Sequence, residues 1–226
     1  MIAKYVTNMH KITDTYKEII LDARDTKVKI EPSNDNNTSL IFFEKKRRPY
    51  EYFIQGDILT IKPIKTRWYH FLTIGISRSE IKLRIPESTL DKISVKSNVG
   101  RVDMSSIKCN GDIDIQTSTG KVDISDISCK SFTSKGNTGS IALNKLIARD
   151  SVNIQRNTGK VLLNDCNARE FFVKTNTGNV SGRLPAGTVF ITKTNTGKAE
   201  IPKTEIGELV SARCEVTTNT GRIKFE

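Results

Sequence analysis

The sequence has few of the residues from which catalytic and metal sites are most often built. Among 226 residues it has only two histidines and four cysteines, and no two cysteines form a Cys-x-x-Cys pair. The serines have no histidine at a recognisable motif spacing, and no glycine-rich phosphate loop is present. We therefore expect no zinc site, no cofactor and no catalytic residue.

Long apolar segments are also missing. No run of 18 apolar residues occurs, and the first residues, Met1 to Thr7, lack the apolar middle of a secretion signal. We expect no transmembrane segment, and a chain that as written is cytoplasmic or membrane-peripheral. A leader removed from the protein would instead place it on the cell surface. Aromatic residues make up 7% and hydrophobic residues 36% of the chain, which suits a thin core.

What the sequence has in abundance is a repeated tripeptide. Asn-Thr-Gly occurs five times, and two degenerate copies, Asn98-Val99-Gly100 and Ser118-Thr119-Gly120, precede it. The glycines are 19, 20 or 24 residues apart: Gly100, Gly120, Gly139, Gly159, Gly178, Gly197 and Gly221. Self-similarity at a period of about 20 residues indicates a repeat architecture.

Mostly apolar residues occupy the same four positions around the repeat glycines. They stand seven and five residues before it and two and four residues after it, and mostly polar residues separate them. Such period-two alternation on both sides of a turn predicts two short strands per repeat. We predict an all-β, single-stranded β-solenoid (β-helix-like) of about 19–20 residues per coil. Glycine then allows a left-handed corner, and the asparagines stack as an amide ladder, so the tripeptide is structural.

The first 90 residues fit the same register less regularly. Ile19, Leu21, Val28 and Ile30 match the inward positions if Thr26 replaces the glycine. Two further matches centre on Ser79, with Leu72, Ile74, Ile81 and Leu83, and on Asp57, with Tyr50, Tyr52, Leu59 and Ile61. We predict degenerate coils or a cap in residues 1–90, with insertions near 32–49 and 62–71. Residues 91–226 form the regular solenoid, and the two parts make one continuous domain.

The four cysteines fall in apolar or small inward positions of the repeat. Cys109 and Cys129 both stand nine residues after a glycine, and Cys166 and Cys214 also replace apolar residues. We expect reduced thiols that pack as small hydrophobic side chains. A disulfide between Cys109 and Cys129 on adjacent coils is the alternative.

Positive charge is the most conspicuous outward feature. The net charge is +11, and lysine or arginine recurs one residue after and four residues before the repeat glycine. Stacking aligns these residues into basic stripes beside the Asn-Thr-Gly corner. One interpretation is a surface for an anionic polymer or for anionic lipid headgroups. The other is that outward charge only keeps the strands soluble and blocks edge-to-edge association.

The two insertions interrupt the repeat, and a binding site is predicted there. The first carries a basic cluster, and the second combines cations with aromatic side chains that suit a membrane interface. The predicted binding residues are Lys45, Lys46, Arg47, Arg48, Lys65, Arg67, Trp68 and Tyr69. The expected partner is an anionic lipid or a cell-wall polymer. Nucleic acid is not expected, because no recognition helix or aromatic RNA-binding motif is present.

Two alternative functions remain open. Asp103 and Asp123 share one outward position on adjacent coils, so they suit acid/base work on a glycan or cation binding in a lectin. Self-assembly is the other alternative, because solenoid ends expose unpaired strands and the coil Glu215–Glu226 has no obvious polar cap.

Three segments together resemble the bacterial "putative adhesin" family of β-solenoid domains. They are the strand Asp25–Pro32, the run from Ile81 to Pro86 that leads into Ile93–Gly100, and the repeated strand–Asn/Ser-Thr-Gly–strand unit. The resemblance covers about Ile19 to Glu226. It implies a single-domain solenoid of a bacterial envelope protein with a non-enzymatic binding or scaffolding role. It supplies no catalytic residues.

Overall fold

The computed structural model describes residues 5–35, 37–45, 49–64, 79–86, 90–203 and 209–226. Every regular element in them is a β-strand, and these strands form one sheet. The strands are β1 Tyr5–Ile12, β2 Glu18–Arg24, β3 Lys27–Pro32, β4 Thr38–Lys45, β5 Tyr50–Gln55, β6 Ile58–Pro63, β7 Glu80–Ile85, β8 Leu90–Val99, β9 Val102–Thr119, β10 Val122–Thr138, β11 Ile141–Thr158, β12 Val161–Asn164, β13 Glu170–Thr177, β14 Val180–Arg183, β15 Thr188–Thr196, β16 Ala199–Glu200, β17 Ala212–Thr220 and β18 Ile223–Phe225. The described segments include no helix that is long and apolar enough to cross a membrane.

The predicted all-β solenoid is confirmed. Consecutive coils pair in parallel and in register, so that Val122 lies between Val102 and Ile141. The long strands β9, β10 and β11 each continue from one coil into the next. The fifth residue of each strand, Ser106, Asp126 or Lys145, has a φ of 53–55°, which interrupts the extended backbone there.

The predicted inward residues line the core. In the coils from Ile93 to Leu163 these positions are buried. All four inward positions of the coil 188–201 are instead partly or fully exposed, and Ile201 is 39% exposed. That coil therefore lies at an end of the stack.

The coils do not stack in sequence order at the C-terminus. Strand β17 pairs with β13 on one side and with β15 on the other, and β18 lies between β14 and β16 in the same way. The last coil of the sequence is therefore inserted between its two predecessors. The expectation that the C-terminal coil is the uncapped end of the solenoid is wrong, since the coil β15–β16 occupies that place.

The N-terminal coil is inserted in the same manner. Strands β2 and β3 pair with β8 and β9 on one side and with β6 and β7 on the other. Ile19 and Leu21 align with Ile93 and Val95, as the sequence predicted. Beyond this coil, β4 and β5 add antiparallel strands to β7 and β6, and β1 adds to β4.

One N-terminal prediction is wrong. Tyr50, Tyr52, Leu59 and Ile61 do not form a coil around Asp57, because β5 and β6 are an antiparallel hairpin. Leu59 and Ile61 instead pair with Ile19 and Leu21 and supply the first strand of the coil that β7 completes. The buried hydroxyl of Tyr50 donates to the Ala23 carbonyl at 2.5 Å and fixes this hairpin over the end of the stack.

The Asn-Thr-Gly corner is a structural device, and its glycines are needed for close approach. A Cβ added at Gly120 would overlap the carbonyl oxygen of Gly100, and each later corner glycine faces the glycine of its stacked neighbour in the same way. The left-handed corner expected from the sequence is not general, since Gly120 is not among the residues with positive φ. The predicted amide ladder is present: Asn157 donates to Asn137 at 2.9 Å, and Asn219 lies between Asn176 and Asn195.

Candidate anion-binding groove

The binding residues predicted in the two insertions cannot be placed in the fold. Lys46, Arg47, Arg48, Lys65, Arg67, Trp68 and Tyr69 lie outside the described residues. Lys45 ends β4, and its side chain is likewise outside the described part. This site remains a prediction, so the basic stripes of the solenoid are the surface on which a site can be built.

The stripe four residues before each corner glycine is a regular ladder of lysines. In stacking order, backbone pairing places its residues as follows: Lys96, Gln116, Lys135, Gln155, Lys174, Thr217 and Lys193. Lysine and a neutral residue therefore alternate, and successive lysines lie two coils, or about 10 Å, apart. Because the C-terminal coil is inserted, Thr217 separates Lys174 from Lys193. We call Lys96, Lys135, Lys174 and Lys193 the lysine ladder.

The lysine ladder has no bound counter-charge within the described chain. All four lysines are exposed, and none of them forms an ion pair with a described residue. On the neighbouring coil beyond Lys96 lies Asp22, whose carboxylate accepts from the Arg24 amide at 3.3 Å. An acidic residue thus borders the ladder at its N-terminal end and leaves the rest of it positively charged.

An open groove runs beside the ladder. Its volume is about 570 Å³, and its lining comes from five successive coils. Lys96, Lys135, Lys174 and Arg156 contribute the charge, glutamines and the corner asparagines contribute amides, and none of the described residues that line it is a carboxylate. A groove with this lining attracts anions and offers them amide hydrogen-bond donors along its length.

A buried arginine lies at the floor of the groove. Arg156 is 3% exposed and lines the groove together with Gly136 of the preceding coil. Its Nη2 donates to the Ser134 hydroxyl at 2.7 Å and its Nη1 to the Gln155 carbonyl at 3.2 Å, while Nε has no partner. Burial lowers the pKa of Arg156 to about 10, so the guanidinium remains charged at neutral pH.

Sequence analysis missed Arg156, although a signal was present. Three residues before the corner glycine, the coils have serine or threonine: Ser97, Thr117, Thr175, Thr194 and Thr218. Only Gly136 and Arg156 depart from this pattern, and they lie on adjacent coils in register. A large side chain on one coil occupies the space that a missing side chain leaves on the next.

The predicted pair of aspartates is not arranged for catalysis. Asp103 and Asp123 lie in register, as expected, but Arg101 contacts both, with Nε 2.5 Å from Asp103 and Nη2 3.0 Å from Asp123. Lys121 approaches Asp123 at 2.9 Å, and Lys27 approaches Asp103 at 3.7 Å. Three cations thus surround two carboxylates, which favours a structural ion-pair network. In the part of the chain that is described, no group of three or more His, Cys, Asp and Glu side chains could hold a metal ion.

The cysteines are buried and free, as the repeat register predicted. Burial raises the pKa of Cys109 and Cys166 to about 11 and that of Cys129 and Cys214 to about 12. The thiolate is the reactive form, so these thiols are poor nucleophiles at neutral pH.

Comparison with known proteins agrees with the fold. The model of the Toastrack DUF4097 family matches residues 16–201. A "putative adhesin" from Bacteroides fragilis superposes with a TM-score of 0.62 at 16% identity, covering 99% of this chain and 97% of the other. A "putative adhesin" from Parabacteroides distasonis gives 0.57 at 13% identity, covering 98% and 97%. No curated protein matches the sequence.

Proposed function

The chain belongs to the Toastrack DUF4097 family, and from that premise we propose that it is a non-enzymatic binding protein of the bacterial envelope that holds an anionic polymer on its lysine ladder. The observation that carries this proposal is that lysines without an ion pair to any described residue alternate with neutral residues along a groove whose described lining contains no carboxylate. The names of the two structural neighbours agree with a binding role.

The geometry favours a linear polymer over a small ligand. Four lysines about 10 Å apart extend over seven coils, or about 30 Å between the first and the last. A single small anion could contact only one or two of them. A chain with one negative charge per extended disaccharide would meet each lysine in turn, so an acidic polysaccharide of the cell wall has the appropriate spacing.

Binding to defined polymers tests the proposal. The probes are hyaluronate, which has one carboxylate per disaccharide, dextran sulfate and neutral dextran, with affinity measured by biolayer interferometry over a series of salt concentrations. We expect binding to the two charged polymers only, weakening steeply with salt as released counter-ions dictate. Vesicles with and without anionic lipid test the lipid alternative in the same buffer.

A matched pair of variants locates the surface. Lys96→Gln, Lys135→Gln and Lys174→Gln together should abolish measurable binding. The control, Lys92→Gln, Lys130→Gln and Arg169→Gln, lowers the net charge equally but lies four or five residues, or about 13–16 Å, away along the strands. Equal loss of affinity in both variants would show that only net charge matters and would reject the ladder.

Self-association is a second candidate function, and the exposed end of the stack favours it. In the coil 188–201, Ile191 is 45% exposed, and the nearby Leu209 and Val210 are 89% and 63% exposed. Strand β15 pairs only with β17 among the described strands, which leaves its other edge without a described partner strand. The opposite end is covered by the antiparallel strands β4 and β5.

One open end and one covered end predict a dimer and not a filament, because only two like ends can join and the contact then closes on itself. Sedimentation velocity over a wide range of concentrations distinguishes the outcomes. A dimer lost in Ile191→Lys supports this function. A monomer at every concentration contradicts it.

A further inference from the structure

We propose that Gln116 and Gln155 are specificity-determining residues of the groove, and that they select a polysaccharide in which acidic and neutral sugars alternate. The acidic sugars lie opposite Lys96, Lys135 and Lys174, and the neutral sugars lie opposite the two glutamines. This inference rests on the proposed function, since it names the class of polymer that the lysine ladder holds.

The two glutamines occupy both neutral places of the ladder that the groove includes. Backbone pairing sets Gln116 between the first and second lysines and Gln155 between the second and third. All five side chains are exposed and line the groove. The next neutral residue along the stack, Thr217, does not line it. The groove therefore combines three cations with two side-chain amides in strict alternation.

A glutamine amide suits a neutral sugar better than an acidic one. It donates through nitrogen and accepts through oxygen, and so matches hydroxyl and acetamido groups, which also do both. An ionised carboxylate only accepts, so it leaves the amide oxygen without a partner. Among the described residues neither glutamine side chain has a hydrogen-bond partner, since Arg156 donates to the backbone carbonyl of Gln155. Both amides are therefore available to a ligand in the groove.

The spacing of the coils agrees with the spacing of sugars. A sugar in an extended chain is about as long as one strand spacing, ~4.8 Å, so consecutive sugars meet consecutive coils. A lysine then faces every second sugar. In a polymer with a carboxylate on every sugar, the carboxylates opposite the glutamines would face no cation. They would also repel their neighbours, which lie within the Debye length of about 8 Å at physiological salt.

The corner asparagines give the groove a second row of neutral donors. Asn157 donates to Asn137 at 2.9 Å, and Asn176 donates to Asn157 at 3.5 Å, each through one amide N–H. A primary amide has two N–H groups, so each of these donors retains one for a ligand. All three asparagines line the groove beside the ladder. Sugar hydroxyl oxygens are suitable acceptors for this row, which favours a polysaccharide.

The test compares hyaluronate, in which acidic and neutral sugars alternate, with polygalacturonate, in which every sugar is acidic. Affinities are measured by biolayer interferometry at physiological ionic strength, and wild type should bind hyaluronate more tightly. Gln116→Lys and Gln155→Lys together place a cation opposite every sugar in the groove. The affinity for polygalacturonate relative to hyaluronate should then rise about tenfold, as two added exposed ion pairs allow.

The chain offers a matched control for the added charge. Ser128 and Asn167 lie twelve residues after Gln116 and Gln155, beyond a corner glycine, and they are likewise two coils apart. Neither of them lines the groove. Ser128→Lys and Asn167→Lys together therefore raise the net charge equally and should leave the ratio of the two affinities unchanged.

A second pair of variants separates hydrogen bonding from charge. Gln116→Ala and Gln155→Ala together should weaken hyaluronate binding about tenfold, through the loss of two hydrogen bonds between neutral groups. The salt dependence of that binding should stay as in wild type, because no cation is removed. Lys135→Gln should reduce the salt dependence. Circular dichroism confirms that each variant is folded.

The outcomes separate this inference from the proposed function. If hyaluronate binds but the two lysine variants change the ratio equally, the glutamines do not determine specificity, and the ladder stands. Unchanged hyaluronate binding in the double alanine variant, or a wild type that prefers polygalacturonate, leads to the same conclusion. If wild type binds neither polysaccharide, the proposed function fails, and this inference fails with it.

Discussion

The stacked corner glycines give the sharpest test of the fold, and Gly120→Ala is the decisive change. The Cβ of alanine would overlap the Gly100 carbonyl oxygen, which is backbone and has no free rotation by which to move aside. The two coils must therefore separate locally. Three backbone hydrogen bonds near this corner are then strained or lost: Gly100 to Thr119 at 3.1 Å, Val102 to Lys121 at 2.9 Å and Gly120 to Thr138 at 2.9 Å.

The expected loss of stability follows from these bonds. At about 1 kcal/mol each they contribute about 3 kcal/mol. Alanine offsets about 0.4–1 kcal/mol of this loss, because it lowers the conformational entropy of the unfolded chain. The net destabilisation is about 2 kcal/mol or more, which lowers the Tm of a chain of this length by about 4–8 °C.

Gly56→Ala is the control, because there the added Cβ has free space but the backbone conformation disfavours alanine. Gly56 has a φ of 59° in the β5–β6 hairpin, and nothing lies within 4 Å of an added Cβ. Alanine there costs about 1–2 kcal/mol through backbone strain alone. Differential scanning calorimetry of both variants measures the difference. If Gly120→Ala is no more destabilising than Gly56→Ala, coil-to-coil approach is not the reason for the glycine.

Three further predictions concern stability. Arg156→Met should leave the Tm unchanged or raise it by a few degrees, since it removes an uncompensated buried charge, and calorimetry in low-salt buffer without added anions checks this. In Lys174→Cys/Thr217→Cys, whose backbones pair in register, oxidation should form a disulfide and raise the Tm, whereas Lys174→Cys/Lys193→Cys, two strands apart, should form none; the reverse result would contradict the inserted coil. Burial raises the pKa of the four thiols to about 11–12, so the folded protein retains protons that the unfolded chain loses from about pH 9 upward. Stability is therefore full below pH 9 and falls as the pH rises towards 11–12, and urea unfolding of wild type and Cys214→Ala should show a shallower fall in the variant.

Much of the fold could be predicted because the same pattern of inward, outward and corner residues recurs in successive coils. Alternation fixed which residues face inward, and the register found Ile19 and Leu21 in the core even where Thr26 replaces the glycine. The amide ladder followed from the side-chain chemistry of asparagine. These features depend on contacts between equivalent positions of neighbouring coils. Such contacts are the same whichever coil of the sequence is the neighbour.

The order of the coils could not be predicted for the same reason. Because every coil presents nearly the same edge, β13 can pair with β15 or with β17 without any change in the alternation pattern. The sequence also did not predict that antiparallel strands cover the N-terminal end of the stack. Tyr50 and Tyr52 have the spacing of inward residues, yet their strand runs antiparallel to β6, and alternation alone contains no information on strand direction.

The candidate site could be predicted only in part, because the departures that distinguish it lie within the repeat and not in the insertions. Gly136 and Arg156 each look unremarkable in the linear sequence. They become a pair only when stacking places them in register between Thr117 and Thr175. A position-by-position comparison of repeats would have detected both, since each replaces a hydroxyl residue.

The composition of the lysine ladder argues that it has a role beyond solubility. Two lysines at one strand spacing in water would repel by about 1 kcal/mol, and at two spacings salt screens most of that repulsion. Neutral residues between the lysines therefore stabilise the stack by reducing repulsion. Acidic residues in those places would stabilise it more, because opposite charges on neighbouring strands attract. The stripe on the other side of the corner is neutralised in another way, since Asp123, two residues after Lys121 on the strand, contacts both Arg101 and Lys121. The ladder has Gln116, Gln155 and Thr217 in those places, so it forgoes the attraction and retains its positive field along the groove.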